Sequence, residues 1–121
     1  MHYIEIQKLN KSFSEGSTTH HVLKDLDLQI AQGELVILLG RSGSGKSTLL
    51  NLLSGIDIPD SGKIYLDSTE LTSLKEPNRT IFRRENVGFV FQFFNLIPTL
   101  TVLENLNLVL ELTNKQGKEW I

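Results

Sequence analysis

Residues 40–48 read GRSGSGKST and follow the apolar run ELVILL. Their spacing fits the pattern G-x-x-x-x-G-K-[ST], with Gly40, Gly45, Lys46 and Ser47 at the defining positions. Glycines let the main chain take positive φ and approach an anion closely, so that a row of N–H groups can turn toward it. A lysine charge and the positive end of a following helix favour the same negative ligand. The residue types therefore predict a loop that binds phosphate.

The chemistry of the side chains suggests individual roles within this loop. Lys46 would contact the β- and γ-phosphates, and the Ser47 hydroxyl would coordinate Mg²⁺, which prefers hard oxygen ligands. A chance Gly/Ser turn is the alternative, but the pattern lies between an apolar run and an amphipathic helix, as the function requires. Many enzyme classes share such a loop, so it does not by itself define the reaction. The predicted nucleotide-binding residues of the loop are Gly40, Arg41, Ser42, Gly43, Ser44, Gly45, Lys46, Ser47 and Thr48.

The segments on either side of the loop predict an α/β fold. YIEIQKL and VLKDLDLQI alternate apolar and polar residues, which favours half-exposed antiparallel strands. The polar segment KSFSEGSTTHH between them is expected to be a loop. ELVILL is continuously apolar, as in a strand buried on both faces. STLLNLLSG predicts a helix that ends at Gly55, and KIYLD and VGFVFQ predict two further strands.

Two helices are expected in the remainder of the chain. Residues 78–85 can form one or two helical turns after Pro77. Thr101 and Glu104 have the spacing of a capping box, and apolar residues then recur on one helical face. The alternation in LNLVLEL leaves a strand open as the alternative. The apolar face would consist of Val102, Leu103, Leu106, Val109 and Leu110.

Composition excludes several classes of protein. The chain has 121 residues, a formal net charge of −2 and no cysteine, which argues against bulk nucleic-acid binding, a disulfide framework and a thiolate zinc site. No apolar run approaches the roughly 18 residues of a membrane span, so we expect a cytoplasmic chain. His20 and His21 lack a second cluster of ligand-type residues, and we expect them in a solvated loop.

Longer segments carry a family resemblance. VLKDLDLQIAQGELVILLGRSGSGKSTLLNLLSGIDIPDSGKIYLD and VGFVFQFFNLIPTLTVLENL resemble the nucleotide-binding domain of ATP-binding cassette (ABC) transporters. The segment FNLIPTLTVLEN is most similar to the lipoprotein-releasing and macrolide-exporter branch of this family. The resemblance covers nearly the whole chain. It implies an α/β P-loop NTPase core, present in part, with an N-terminal antiparallel β-subdomain at about residues 1–32 and 60–70.

The resemblance also implies roles for particular residues. Gln92 matches the Q-loop glutamine, which approaches Mg²⁺ and the attacking water. Phe13 matches an aromatic that stacks on adenine, and the alternative is a ring that caps the small sheet. The segment FFNLIPTL, from Phe93 to Leu100, would receive a membrane permease subunit, unless Phe93, Phe94 and Leu96 pack inward. The implied ligands and partners are ATP, Mg²⁺, a permease at the inner face of the membrane and a second cassette.

Several family features do not occur in these 121 residues. The family's strand that ends in Asp-Glu is not found, since Asp67 ends an apolar run but precedes Ser68 rather than Glu. The family's signature sequence SGGQ does not occur, and the family's late histidine is missing because no histidine follows His21. The sequence reaches KQGKEWI about where the helical subdomain should begin. We therefore expect the front part of a cassette that binds ATP, lacks the catalytic base and does not hydrolyse ATP alone. Such a chain would leave an apolar edge open and would tend to associate.

Two alternatives remain beside an ATP-binding half of a transporter ATPase. One is a truncated nucleotide-binding module without catalysis. The other is an unrelated P-loop kinase or GTPase, which is disfavoured because TNKQ lacks the aspartate two positions after Lys115 that a guanine-binding motif needs. The transported substrate is not encoded in this segment, since a membrane partner would select it.

Overall fold

A computed structural model describes residues 2–112 of the chain. They form two compact units, which divide between Arg79 and Thr80. The predicted boundary at KQGKEWI lies outside the described residues. In chain order the elements are β1 (His2–Glu15), β2 (Thr18–Ala31), α1 (Lys46–Leu53), β3 (Ser61–Leu66), β4 (Thr69–Glu70), a 3₁₀ turn (Leu71–Ser73), α2 (Asn78–Asn86) and α3 (Val102–Leu112).

The first unit contains one antiparallel sheet in the order β2-β1-β3-β4. Ile6 lies opposite Leu28 on one side and Ile64 on the other. The alternating patterns of β1 and β2 therefore predicted strands correctly, and so did KIYLD for β3. Alternating apolar and polar residues predict these strands correctly because one face of each strand is apolar and the other contacts water.

The segment that we expected to be a loop between the first two strands is a continuous hairpin instead. β1 extends to Glu15 and β2 starts at Thr18, with a tight turn in which Gly16 has φ of +62°. His20 and His21 thus lie on a strand, although both are exposed. Polar residues can form such a ribbon because the paired backbones satisfy each other while both faces contact water.

Seven buried side chains form the core of the first unit. β1 supplies Ile6 and Leu9, and α1 supplies Leu49 and Leu52. Each such side chain contributes roughly 1.5–3 kcal/mol when it is buried. The helix ends as predicted, since Gly55 has φ of +78° and its neighbour Ser54 closes the last turn. The remaining core residues are Ile64, Leu66 and Leu71.

A bulge interrupts β1 at Lys8, which has φ of +47°. Asp27 stabilises it, because its carboxylate accepts hydrogen bonds from the Lys8 amide at 2.9 Å and from Lys8 Nζ at 2.6 Å. The Lys8 ammonium holds the pKa of Asp27 below its ordinary value, and the same hydrogen bond raises the pKa of Lys8. Gly62 lies where β3 crosses this bulge, and a side chain there would collide with the Lys8 carbonyl.

Two predicted strands are not formed. The run ELVILL, residues 34–39, lies outside any strand, and Leu35 and Leu39 are each 89% exposed. VGFVFQ, residues 87–92, is likewise not a strand, although Phe89 and Phe91 stack at 5.4 Å. A strand needs a neighbour to accept and donate its backbone hydrogen bonds. Within residues 2–112 no strand pairs with either run.

The second unit is helical. α3 forms where the capping box predicted it: the Thr101 amide donates to Glu104 Oε2 at 2.8 Å, and the Glu104 amide donates to Thr101 Oγ1 at 3.2 Å. The helix interpretation of LNLVLEL is therefore confirmed over the strand alternative. Its predicted apolar face is largely exposed in the described chain, as Val102 and Leu106 illustrate. Among residues 2–112, no helix combines the length and apolarity that crossing a bilayer requires.

Candidate phosphate-binding site

The glycine loop at residues 40–45 leads directly into α1. Gly43 and Gly45 have φ of +79° and +97°, values that glycine adopts without the strain of a Cβ atom. The Ser44 amide donates to the Arg41 carbonyl at 3.1 Å and closes a short turn inside the loop. The loop therefore has the left-handed positions that its glycine spacing predicted.

The amides of this loop are largely unengaged by the main chain. Among the amides of residues 42–48, within the part of the chain described, only that of Ser44 donates to a backbone carbonyl outside regular helix hydrogen bonding. The first intrahelical hydrogen bond of α1 comes from Leu49, which donates to the Gly45 carbonyl at 2.9 Å. The unpaired donors at a helix N-terminus attract an anion, and the helix dipole acts in the same direction.

Lys46 folds back over the loop. Its ammonium donates to the carbonyl oxygens of Gly40 and, at 2.9 Å, of Arg41, and it lies 3.5 Å from Ser44 Oγ. These acceptors are neutral. A phosphate oxygen is a stronger partner for an ammonium group than a neutral carbonyl oxygen, because the two groups then carry opposite charges and attract each other by Coulomb's law. The lysine is thus held at the place where it can transfer its hydrogen bonds to a polyphosphate.

The loop packs closely against β2. A Cβ atom on Gly45 would lie 2.8 Å from Val22 Cγ1 and 3.2 Å from Leu23 Cδ2. Gly45 is buried, and its neighbours Val22 and Leu23 lie at a register shift between β1 and β2. A bulge of this kind re-aims side chains locally, and here it brings two apolar side chains against the loop.

Phe13 lies on β1 near this contact. It pairs with His20 across the hairpin, and His20 is two residues from Val22, which is roughly 7 Å along a strand. The ring is 44% exposed, and Lys11 Nζ lies 5.3 Å from its centroid. Phe13 and the predicted loop residues therefore belong to the same unit, and an ammonium group occupies one side of the ring.

The predicted metal ligands lie in different units. Ser47 is an exposed residue on the first turn of α1, and its hydroxyl forms no hydrogen bond within the described residues, so its oxygen is available to a hard cation such as Mg²⁺. Gln92 belongs to the second unit, where it is exposed in a turn. An amide oxygen also suits Mg²⁺. The donor chemistry at both positions therefore fits the ion.

The segment that follows Gln92 is an exposed apolar loop. Phe93 and Phe94 are 85% and 74% exposed and Leu96 is also exposed. Asn105 of α3 fastens the end of this loop, since its Oδ1 accepts from the Ile97 amide at 2.9 Å and its Nδ2 donates to the Thr101 carbonyl at 2.9 Å. No sequence signal pointed to Asn105, because an asparagine inside an apolar helical pattern reads as a solvent-facing residue.

Sequence reasoning also missed a group of residues that attach the segment after α1 to β1. Asp60 exchanges two hydrogen bonds with β1: its amide donates to the Asn10 carbonyl at 2.9 Å, and its Oδ2 accepts from the Ser12 amide at 2.6 Å. Lys11 Nζ donates to the Ile58 carbonyl at 2.8 Å and to Asp57 Oδ1 at 3.3 Å. These contacts join residues some 46 to 50 positions apart, and no local pattern in the sequence reveals them.

Comparison with known proteins extends this description. The family model described as ABC transporter matches residues 23–121. An ABC transporter ATP-binding protein of Mycobacterium tuberculosis is 51% identical over 109 residues, which cover 90% of this chain and 44% of that protein. The lipoprotein-releasing system ATP-binding protein LolD of Legionella pneumophila is 44% identical over 93% of this chain and 50% of its own length.

Solved structures give the same result. The dimeric ABC transporter cassette MJ0796 of Methanocaldococcus jannaschii has a TM-score of 0.85 and 42% identity, over 91% of this chain and 47% of that one. A post-hydrolysis structure of the same cassette with ADP and Pi has a TM-score of 0.87 and 39% identity, over 94% of this chain and 49% of that one. The chain thus spans about half the length of the relatives it matches.

The fold and the site define a P-loop NTPase core, present in part, with an N-terminal antiparallel β-sheet. The chain belongs to the ABC transporter family, in the LolD-like group of ATP-binding proteins. The family resemblance that the sequence motifs carried is therefore confirmed.

Proposed function

We propose that this chain binds Mg-ATP through residues 40–48 and that, as part of a complete and dimerised cassette, it hydrolyses ATP to drive export through a membrane permease. The first unit would serve as the β-subdomain and the phosphate-binding part of the core. The observation that carries the proposal is the loop itself: positive-φ glycines, unengaged amides and a lysine ammonium converge at the N-terminus of α1.

The roles of the individual residues follow from their chemistry. The loop amides and Lys46 would hold the β- and γ-phosphates, and Thr48 and Ser42 would frame them. Phe13 offers an exposed aromatic ring for adenine, since stacked aromatic rings gain energy beyond their buried area. Ser47 and Gln92 would hold Mg²⁺, which neutralises phosphate charge when bound. Positioning and electrostatic stabilisation are the main sources of catalysis in phosphoryl transfer.

The partners are inferred from the relatives and from the exposed surface. The MJ0796 cassette is dimeric, and LolD is named for a lipoprotein-releasing system. The apolar loop 93–100 would contact the permease, because exposed apolar patches of this kind mark contacts with other proteins. Such a contact would hold the protein at the inner face of the membrane.

Lys46→Ala tests nucleotide binding. Losing one charge-assisted contact to phosphate removes roughly 1.5–3 kcal/mol, so the affinity for Mg-ATP should fall at least about tenfold in a calorimetric titration. Lys63→Ala is the matched control, since Lys63 is an exposed lysine on β3 of the same unit. Unchanged ATP affinity in the Lys46 variant would remove the basis for the phosphate assignment.

A second candidate is a nucleotide-binding module without turnover. Like the first candidate, it rests on the loop at residues 40–48, with its positive-φ glycines and unengaged amides. The two candidates make the same prediction for binding and differ in turnover. Extending the chain with the downstream coding sequence and measuring phosphate release separates them, since only a transporter ATPase would gain activity that Lys46→Ala abolishes.

A further inference from the structure

Lys11 connects the aromatic ring of Phe13 to the segment that follows α1. Its ammonium lies 5.3 Å from the Phe13 centroid, within the range of roughly 6 Å over which a cation is attracted to a ring. The same ammonium donates to the Ile58 carbonyl at 2.8 Å and to Asp57 Oδ1 at 3.3 Å. Its side chain is only 12% exposed, so the cation is held in place.

The other end of this connection is the phosphate-binding helix. The amides of Ile56 and Asp57 both donate to the Asn51 carbonyl, at 3.0 and 3.2 Å, and so fasten the segment to α1. Asp57 Oδ1 also accepts from the Ile58 amide at 2.7 Å, which orients the carboxylate toward Lys11. A continuous set of hydrogen bonds therefore runs from α1, whose first residue is Lys46, to the ammonium beside Phe13.

We propose that Lys11 is a positioning residue for nucleotide binding. It holds one face of the Phe13 ring and so sets the distance between this ring, on which the base would stack, and the phosphate loop. The inference rests on the proposed function, in which adenine stacks on Phe13. With the ammonium on one side of the ring, the base would occupy the other, exposed side. Lys11 itself does not touch the nucleotide.

This arrangement makes a specific prediction about ligands. Loss of the ammonium should weaken binding of a ligand that has a base and leave binding of a bare polyphosphate unchanged. In Lys11→Met the aliphatic stem is largely kept while the charge and its hydrogen bonds are removed. We expect ATP affinity to fall about three- to tenfold, the range given by one cation–π contact and its ordering effect, and tripolyphosphate affinity to stay within about twofold.

Three further variants sharpen the test. Lys11→Arg keeps a cation that can lie over the ring and should restore ATP affinity to within about twofold of the original. Lys63→Met removes an exposed lysine of the same sheet and should change neither ligand. In the Phe13→Leu background, Lys11→Met should have no additional effect on ATP, because a residue that acts through the ring has nothing left to position.

The outcomes separate this inference from the proposed function. Equal loss of ATP and tripolyphosphate affinity in Lys11→Met would overturn it in favour of general structural damage, and so would undiminished ATP affinity or an additional loss in the Phe13→Leu background. Failure of the proposed function would look different, since the unaltered chain would then bind neither ligand or would bind both independently of Lys46.

Discussion

Gly45→Ala tests whether the contact with β2 holds the phosphate loop in place. An alanine at φ of +97° is strained, which costs roughly 1–2 kcal/mol and is partly offset because alanine has less backbone freedom than glycine in the unfolded chain. Its Cβ would also lie 2.8 Å from Val22 Cγ1 and 3.2 Å from Leu23 Cδ2. Relieving that overlap costs about 1–3 kcal/mol more.

Gly43→Ala is the matched control. Gly43 has a similar positive φ of +79°, but no atom lies within 4 Å of the position of a Cβ atom there. The two variants therefore share the backbone strain and differ in the clash. The free energy of unfolding should be lower for Gly45→Ala than for Gly43→Ala by about 1–3 kcal/mol, or roughly 3–5 °C in melting temperature per kcal/mol.

The assay is thermal and urea unfolding followed by circular dichroism, with ATP affinity measured on the same samples. Gly45→Ala should also bind ATP more weakly than Gly43→Ala, because the loop must move away from β2 to admit the methyl group. Equal melting temperatures for the two variants would show that the bulge at Val22 does not position the loop, and would contradict the reasoning from the packing of β2.

Four further outcomes are expected. The Lys8–Asp27 pair stabilises the bulge while both groups are charged. Because the pKa of Asp27 is lowered, the stabilisation is lost as the pH falls below about 4. Because the pKa of Lys8 is raised, the stabilisation is lost at high pH only in strongly alkaline solution. Asp27→Asn should therefore flatten the acid limb of a plot of melting temperature against pH, and an unchanged limb would contradict this. Thr101→Ala should cost about 0.5–2 kcal/mol of α3 stability, measurable by hydrogen exchange of the first helical turn. The 121-residue chain alone should release no phosphate from ATP, and turnover that disappears in Lys46→Ala would refute this. The exposed run 34–39 should promote association, so sedimentation that shows a monomer at all concentrations would count against it.

The elements that could be predicted from the sequence are those whose stabilising partners are close in the chain. The capping box of α3 joins residues three positions apart, and the alternation in β1 and β2 needs only one apolar face. The glycine loop is likewise local, since its backbone angles depend on its own glycines. The hairpin from Ser12 to His21 was missed because exposed polar residues resemble a loop until both strands are considered together.

The incorrect strand predictions have the opposite cause. Residues 34–39 have the composition of a central strand, yet a central strand exists only when neighbours on both edges supply hydrogen bonds. The apolar composition of this segment indicates that it requires paired strands on both edges, and within residues 2–112 no strand pairs with it. The same holds for VGFVFQ. The contacts of Lys11 and Asp60 were unpredictable for a related reason, since they join positions more than forty residues apart.

The position of the phosphate loop depends on the sheet more than on the unpaired run before it. Gly45 is set against Val22 and Leu23 of β2, and the far end of α1 is fastened to β1 through Asp60 and Lys11. Helix α1 is therefore held at both ends by the β1–β2 hairpin, which also carries Phe13. Because the buried side chains of the first unit come from β1, β3, α1 and Leu71, its phosphate loop can keep its geometry without a strand at residues 34–39. The proposed base contact at Phe13 and the proposed phosphate loop are thus joined to one hairpin. A change in the hairpin should affect both, whereas a change in residues 34–39 should mainly affect association.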